Sequence, residues 1–179
     1  LSNCEVACAG KPLGHHTPTE VQWTAMAHRR IAQGLSAYAD FAVWPPYGKR
    51  MARAMKYTAW KATGLGEYTQ VELVGPSSFV QWEISWNVFR TALIGLCVVS
   101  PAVLDNYHAC VKQLVSEYPD CWGNICQAGD LARSDYAYKL KRQAKQAQAR
   151  GEPWVANYDA RYPWEWTFLQ LSNPEHEYW

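Results

Sequence analysis

The sequence has no long hydrophobic run and almost no net charge. Its most apolar stretch, residues 91–104, includes Pro101 and falls short of the roughly 20 apolar residues that a membrane-spanning helix needs. We therefore expect a core helix there and a protein that is not integral to a membrane. The net charge of +1 gives no overall attraction to nucleic acid or to a lipid surface.

The chain also lacks the short motifs that mark common catalytic centres. It has no Gly-x-Ser-x-Gly elbow, no papain-like cysteine context and no His-Glu-x-x-His segment. His108 and Cys110 are close in sequence, but helix positions two apart face different directions and form no nucleophile–base pair. Residues 64–66 lack the further glycine and lysine of a phosphate-binding loop. We expect a non-enzymatic protein without a cofactor.

Cysteine is too sparse for a disulfide-built scaffold, at six residues in 179. This usage favours a reducing compartment, hence an intracellular or organellar protein that is soluble or peripheral. Cys97 and Cys110 lie in apolar helical contexts and are predicted to be small buried side chains. Cys121 and Cys126 are spaced to lie about one helical turn apart.

The candidate metal ligands are concentrated near the start of the chain. They are the thiol and imidazole groups of Cys4, Cys8, His15 and His16, which are ligand types that zinc prefers. The spacing is unusual for zinc, because the cysteines are not in a two-residue-gap pair and adjacent histidines seldom bind one ion. Two interpretations stay open: a zinc site, or an arm that docks on a partner.

Apolar residues recur at helical spacing over much of the chain. The clearest stripe runs from Trp82 through Trp86 and Phe89 to Leu96. Capping and proline signals predict helices over residues 18–43, 49–62, 78–99, 101–118, 120–150 and 164–171. We therefore expect an all-α fold, a single-domain helical bundle or orthogonal array of about six helices.

Two segments depart from the helical pattern. Residues 67–74 show a partial two-residue alternation between glycines, so at most one short β-like segment is expected. Residues 1–17 show no sustained period and are predicted to form an extended N-terminal arm. The helical domain is then expected to cover residues 18–179.

Aromatic residues are the outlier in composition, with ten Trp and eleven Tyr. Each ring buries a large area and carries a polar group that needs a partner. Five of these aromatics lie on helical stripes and are predicted to build the core: Trp82, Trp86, Phe89, Tyr107 and Trp122. Nine others lie outside the strongest stripes and are predicted to bind a protein partner: Trp44, Tyr47, Trp154, Tyr158, Tyr162, Trp164, Trp166, Tyr178 and Trp179.

Basic residues cluster in two places. The segment 49–61 interleaves aromatics with five cations, Lys49, Arg50, Arg53, Lys56 and Lys61. Two interpretations of it stay open: cations on phosphates with rings stacked on bases, or a solvated basic helix face. The second stretch, from Arg133 to Arg150, has alanine and glutamine between its charges and is typical of an exposed helix.

A succession of short segments from about residue 56 onward carries a resemblance. They are Lys56-Tyr57-Thr58, Gly75-Pro76-Ser77, Trp86-Asn87-Val88-Phe89-Arg90, Ser100-Pro101-Ala102-Val103-Leu104, Tyr118-Pro119-Asp120-Cys121-Trp122, Gln127-Ala128-Gly129-Asp130, Pro163-Trp164-Glu165-Trp166 and Glu175-His176-Glu177-Tyr178-Trp179. This pattern resembles a large, repeatedly duplicated family of uncharacterised, retroelement-linked proteins of dinoflagellate-type algae, with a Gag-like character. The resemblance brings no catalytic residues, and it leaves self-association open. No retroviral-type zinc knuckle accompanies it.

Three functional hypotheses follow from the sequence. The first is a non-enzymatic interaction or assembly domain, Gag-like or scaffolding, that presents aromatic surfaces to copies of itself or to a larger assembly. The second is an accessory structural subunit of a large organellar complex. The third is a nucleic-acid-binding module that uses the basic segment 49–61.

Overall fold

The computed structural model describes residues 16–28, 39–41, 44, 56–64, 66–153 and 163–179. These residues form five helices and one two-stranded sheet. In chain order the elements are α1 (Glu20–Ala27), β1 (Lys56–Ala62), β2 (Tyr68–Val74), α2 (Phe79–Gly95), α3 (Pro101–Glu117), α4 (Trp122–Leu131 continued by Ala132–Tyr136 and Ala137–Ala149) and α5 (Pro163–Leu171). The mainly helical class is confirmed, with five helices rather than about six.

Helix α1 begins where the sequence predicts, because a capping box satisfies its first backbone donors. The Thr19 hydroxyl accepts from the Gln22 amide at 3.4 Å, and the Gln22 side chain accepts from the Thr19 amide at 2.9 Å. The predicted continuation of this helix to residue 43 is wrong at residues 39–41, which are not helical. Phe41 is instead held by the core, where its ring centroid lies 5.4 Å from that of Phe89.

The predicted second helix over residues 49–62 is wrong from Lys56 onward, while residues 49–55 lie outside the described part of the chain. Lys56–Ala62 is a strand that pairs antiparallel with Tyr68–Val74, the segment predicted to be β-like. The register runs from Lys56 opposite Val74 to Ala62 opposite Tyr68. Aromatic and β-branched residues favour strands, and the pairing with β2 decides the conformation.

The core is a set of aromatic rings contributed by α2, α3 and α5. Trp82 and Trp86 stack with centroids 5.3 Å apart and planes 5° from parallel, and both side chains are buried. Tyr107 of α3 lies 5.1 Å from Trp86 and 5.0 Å from Phe168 of α5. The predicted core residues Trp82, Trp86, Phe89 and Tyr107 are therefore confirmed.

Trp122 is only partly buried against this core. Its indole nitrogen donates to the Pro76 carbonyl at 2.9 Å and so links the first turn of α4 to the segment after β2. The apolar stretch 91–104 is divided between the end of α2 and the start of α3. Among the described helices, none combines the length and the apolar character that crossing a membrane requires.

Helix α2 ends in a Schellman motif that places a cysteine in a left-handed conformation. The Cys97 amide donates to the Ile94 carbonyl at 2.9 Å, and the Val98 amide donates to the Leu93 carbonyl at 3.1 Å. Cys97 has a φ of 54° and is exposed. The prediction of a buried Cys97 is therefore wrong, because this position lies beyond the helix, whereas the same prediction for Cys110 is confirmed.

Replacing Cys97 with glycine is expected to stabilise the fold by about 0.5–1 kcal/mol, because glycine adopts the left-handed region without steric cost. No packing is lost, since the side chain is exposed. Urea unfolding of Cys97→Gly against the parent protein measures the difference. Cys121→Gly is the matched control: Cys121 is also exposed and has a φ of −100°, so glycine there is expected to destabilise. A loss of stability in Cys97→Gly would contradict this assignment.

Candidate functional site

Two of the predicted partner-binding tryptophans are core residues. Trp44 is 8% exposed and Trp164 is 2% exposed, so the prediction that they lie outside the core is wrong. Trp164 lies on α5, where its ring centroid is 6.0 Å from that of Phe168. Tyr47, Trp154, Tyr158 and Tyr162 lie outside the described residues, and their assignment stays a prediction.

The other three residues predicted to bind a partner, Trp166, Tyr178 and Trp179, pack against the core. Trp179 donates its indole hydrogen to the Leu171 carbonyl at 3.1 Å, and its ring lies 6.0 Å from that of Tyr107. Gly129 lies beside this contact, since a Cβ there would be 3.3 Å from the Tyr107 hydroxyl and 3.4 Å from the Trp179 ring. Tyr178 and Trp166 are likewise partly buried against the core. The aromatic tail is therefore a packing element.

The predicted nucleic-acid segment is only partly described. Lys49, Arg50 and Arg53 lie outside the described residues, as does the side chain of Lys61. Lys56 lies on β1, not on a helix, and its ammonium contacts the Glu72 carboxylate at 2.5 Å on the exposed surface of the sheet. The prediction of a basic helix face is therefore wrong from Lys56 onward, and nucleic-acid binding by this segment stays a prediction.

The predicted zinc ligands also fall largely outside the described part. Cys4, Cys8 and His15 are not described, and His16 is exposed. Within the described ranges, no three His, Cys, Asp or Glu side chains gather in a way that would hold a metal ion. The metal site in the arm stays a prediction.

The β1–β2 hairpin exposes apolar side chains on a narrow ribbon. Tyr68 is 70% exposed and Val74 is 58% exposed, at opposite ends of a strand about 20 Å long. On the body side, the Tyr57 hydroxyl donates to the Gly123 carbonyl at 3.4 Å. A hollow of about 400 Å³ lies between Tyr68 and residues 120–124. The partial alternation over residues 67–74 predicts the strand that carries these side chains, but the helix predicted over residues 49–62 leaves that strand without its partner β1.

A larger cavity of about 800 Å³ lies between the base of the hairpin and α4. Its walls come from Tyr57 and residues 74–76 of the hairpin base, from the α4 side chains between residues 124 and 139, and from residues 177–178 of the tail. Asp40 and Phe41 complete the lining. The residues that line this cavity are far apart in the sequence, so no local sequence pattern predicts it.

Arg133 is the buried charge on the cavity wall. It is 1% exposed, so the expectation that it belongs to an exposed helix face is wrong. It lies in the π-helical segment Ala132–Tyr136, a geometry that often marks functional positions in helices. The one available signal was its place directly after Ala132, a residue of the α4 apolar stripe. That signal does not separate a buried arginine from an exposed one.

The guanidinium of Arg133 is held by three side chains. Nη1 donates to the Tyr107 hydroxyl at 3.2 Å, and Nη2 donates to the Asp130 carboxylate at 3.2 Å. The Phe41 ring lies over the guanidinium at 4.2 Å. The Nε atom is buried and has no hydrogen-bond partner among the described groups.

Two other side chains of the cavity, Cys126 and Tyr57, stay protonated and neutral at physiological pH. Burial is the main cause that raises the pKa of Cys126 to about 11 and the pKa of Tyr57 to about 12. Because the thiolate is the reactive form of cysteine, a thiol with so high a pKa is a poor nucleophile. Cys126 and Tyr57 therefore add neutral donors to a cavity wall on which Arg133 is the fully buried cation.

The raised pKa of Cys126 makes the fold less stable as the pH rises from about 9 to about 11. In that window the unfolded chain releases the thiol proton while the folded chain keeps it, which favours unfolding by at most about 1.4 kcal/mol per pH unit. Urea unfolding at several pH values is expected to show a shallower loss for Cys126→Ala than for the parent. Cys121→Ala, at an exposed cysteine, is the control. Equal pH slopes for Cys126→Ala and the parent would overturn the assignment.

Comparison of the chain with protein-family models, with curated proteins and with solved structures finds no match. Two features of the chain's own geometry bear on its function: the exposed hairpin, and the cavity that reaches Arg133 beside the hairpin base.

Proposed function

We propose that this chain is a non-enzymatic helical interaction and assembly domain, and that its hairpin binds the hairpin of a second copy. The observation that carries the proposal is the exposure of Tyr68 and Val74 on the two-stranded ribbon. In this account the hairpin supplies the aromatic contact surface that the sequence assigns to the loops and tail.

The energetics of a two-stranded ribbon support an occupant on this surface. An isolated hairpin is marginally stable in water, and its strand edges carry backbone groups suited to pairing with another chain. Most residues of β2 are exposed, and only Val71 and Leu73 are partly covered. A second ribbon laid against Tyr68 and Val74 would remove their apolar surface from water, which is favourable in proportion to the area buried.

Charge favours a second copy as that occupant. With a net charge of +1, two chains repel each other little. The ribbon carries an exposed cation, Lys56, and an exposed anion, Glu72. In an interface with twofold symmetry the same patch meets itself, so each lysine can face the partner copy's glutamate. Self-association is also compatible with the Gag-like resemblance.

The proposal predicts a concentration-dependent dimer that weakens when the exposed hairpin residues are made polar. Tyr68→Ser with Val74→Thr removes two apolar contacts per subunit, and the dissociation constant is expected to rise about 100-fold. Light scattering coupled to size-exclusion chromatography, from about 1 µM to about 1 mM, measures it.

Val21→Thr with Val80→Thr is the matched control, because these valines are 72% and 65% exposed on α1 and α2, outside the two strands. The control is expected to dimerise as the parent does. A parent protein that stays monomeric throughout the range contradicts the proposal. The proposal is also contradicted if the hairpin variant and the control weaken the dimer to the same extent.

A further inference from the structure

The buried guanidinium of Arg133 has one nitrogen, Nε, without a hydrogen-bond partner among the described groups. A buried charge is tolerated when it is paired and its donors are satisfied, and each unmade hydrogen bond costs about 1–3 kcal/mol. Two nitrogens of Arg133 have partners, while Nε has none among the described groups. Arg133 also lines the 800 Å³ cavity, which is large enough for a small organic ligand.

The surroundings of Arg133 define the ligand's chemistry. The cavity wall carries apolar surface from Phe41, Pro76 and Leu131. Its charged groups are the carboxylates of Asp40, Asp130 and Glu177 and the cations Arg133 and Lys139, and Lys139 already pairs with Glu177 at 2.7 Å. A polyanion such as a phosphate ester would be repelled by the three carboxylates. A single carboxylate attached to an apolar body meets less of this repulsion, can pair with Arg133 and suits the apolar walls.

We propose that this cavity binds a small apolar monocarboxylate, and that Arg133 receives the ligand's carboxylate through Nε and Nη2. Guanidinium groups bind carboxylates through two parallel hydrogen bonds, and Nε with Nη2 forms one such edge. The Asp130 side chain, which is 44% exposed, contacts Nη2 at 3.2 Å. The ligand takes over this contact from Asp130.

Uptake of the ligand involves the aromatic core. Nε is fully covered, and Phe41 lies over the guanidinium while its ring centroid is 5.8 Å from that of Trp82. A carboxylate that reaches Nε therefore shifts Asp130 or Phe41. A shift of Phe41 alters the surroundings of a buried tryptophan, so binding can be followed by intrinsic fluorescence as well as by heat.

The test titrates the full chain with decanoate, and with decanol as the uncharged analogue. Isothermal calorimetry is expected to show one site per chain with a dissociation constant on the order of 0.1 mM, and at least about tenfold weaker binding of decanol. Asp130→Asn removes the competing carboxylate and is expected to bind decanoate several-fold more tightly. Arg133→Lys keeps a charge but loses the two-pronged edge, and is expected to bind at least about tenfold more weakly.

Because Arg133 is buried, a second variant tests the cavity without changing its hydrogen bonds. Ala128→Leu adds bulk to the cavity wall and is expected to weaken decanoate binding, whereas Ala102→Leu, exposed on α3, is expected to bind as the parent does. Circular dichroism checks that each variant is folded. Absence of decanoate binding, equal affinity for decanol, or unimpaired binding by folded Ala128→Leu overturns the proposal. Dimerisation is measured separately, so failure here leaves the hairpin proposal standing.

Discussion

The rest of the site depends on the burial of the Arg133 charge. A guanidinium taken out of water has to be compensated, and the compensating groups come from distant parts of the chain. Tyr107 contributes a hydroxyl from α3, Asp130 a carboxylate from the preceding turn of α4, and Phe41 an aromatic face. Burial raises the pKa of Tyr107, so its hydroxyl stays protonated beside the cation. The segment 39–41 is thereby tied to α4, and both form walls of the cavity.

The aromatic content has a different use from the one its abundance suggests. Within the described part of the chain, eight tryptophans pack in the core or against it: Trp23, Trp44, Trp82, Trp86, Trp122, Trp164, Trp166 and Trp179. Among the large side chains of the described residues that are exposed, the aromatic ones are tyrosines, and Tyr68 on the hairpin is the most exposed of them. The hairpin, not the tail, becomes the surface on which assembly is proposed.

The parts of the fold that sequence could predict are those whose signals are local. The helices α2 and α3 follow from the stripe through Trp82 and Trp86 and from the Ser100-Pro101 start. Strand β1 could not be predicted in this way, because its residues also suit a helix and only the pairing with β2 makes it a strand. Its conformation is decided by a non-local contact.

The candidate site was less predictable than the fold for the same reason. Whether Arg133 is buried depends on Tyr107, which is 26 residues away in sequence, and on Phe41, which is still farther away along the chain. The short helix α5 has too few turns to define an apolar stripe, so the sequence predicts a contact surface at Trp164. In the structure, α5 buries the Trp164 side chain. Periodicity identifies a helix face, but it does not say what the opposing element provides.

The most direct test of this account is the nuclear magnetic resonance signal of the Arg133 Nε–Hε group, assigned by its disappearance in Arg133→Lys. Because Nε is buried, its hydrogen is expected to exchange with water at neutral pH at least about 100-fold more slowly than that of Arg142, which is exposed. A slowly exchanging signal agrees with a covered guanidinium that holds one donor for a ligand. Exchange as fast as that of Arg142 would contradict the buried charge on which the account rests.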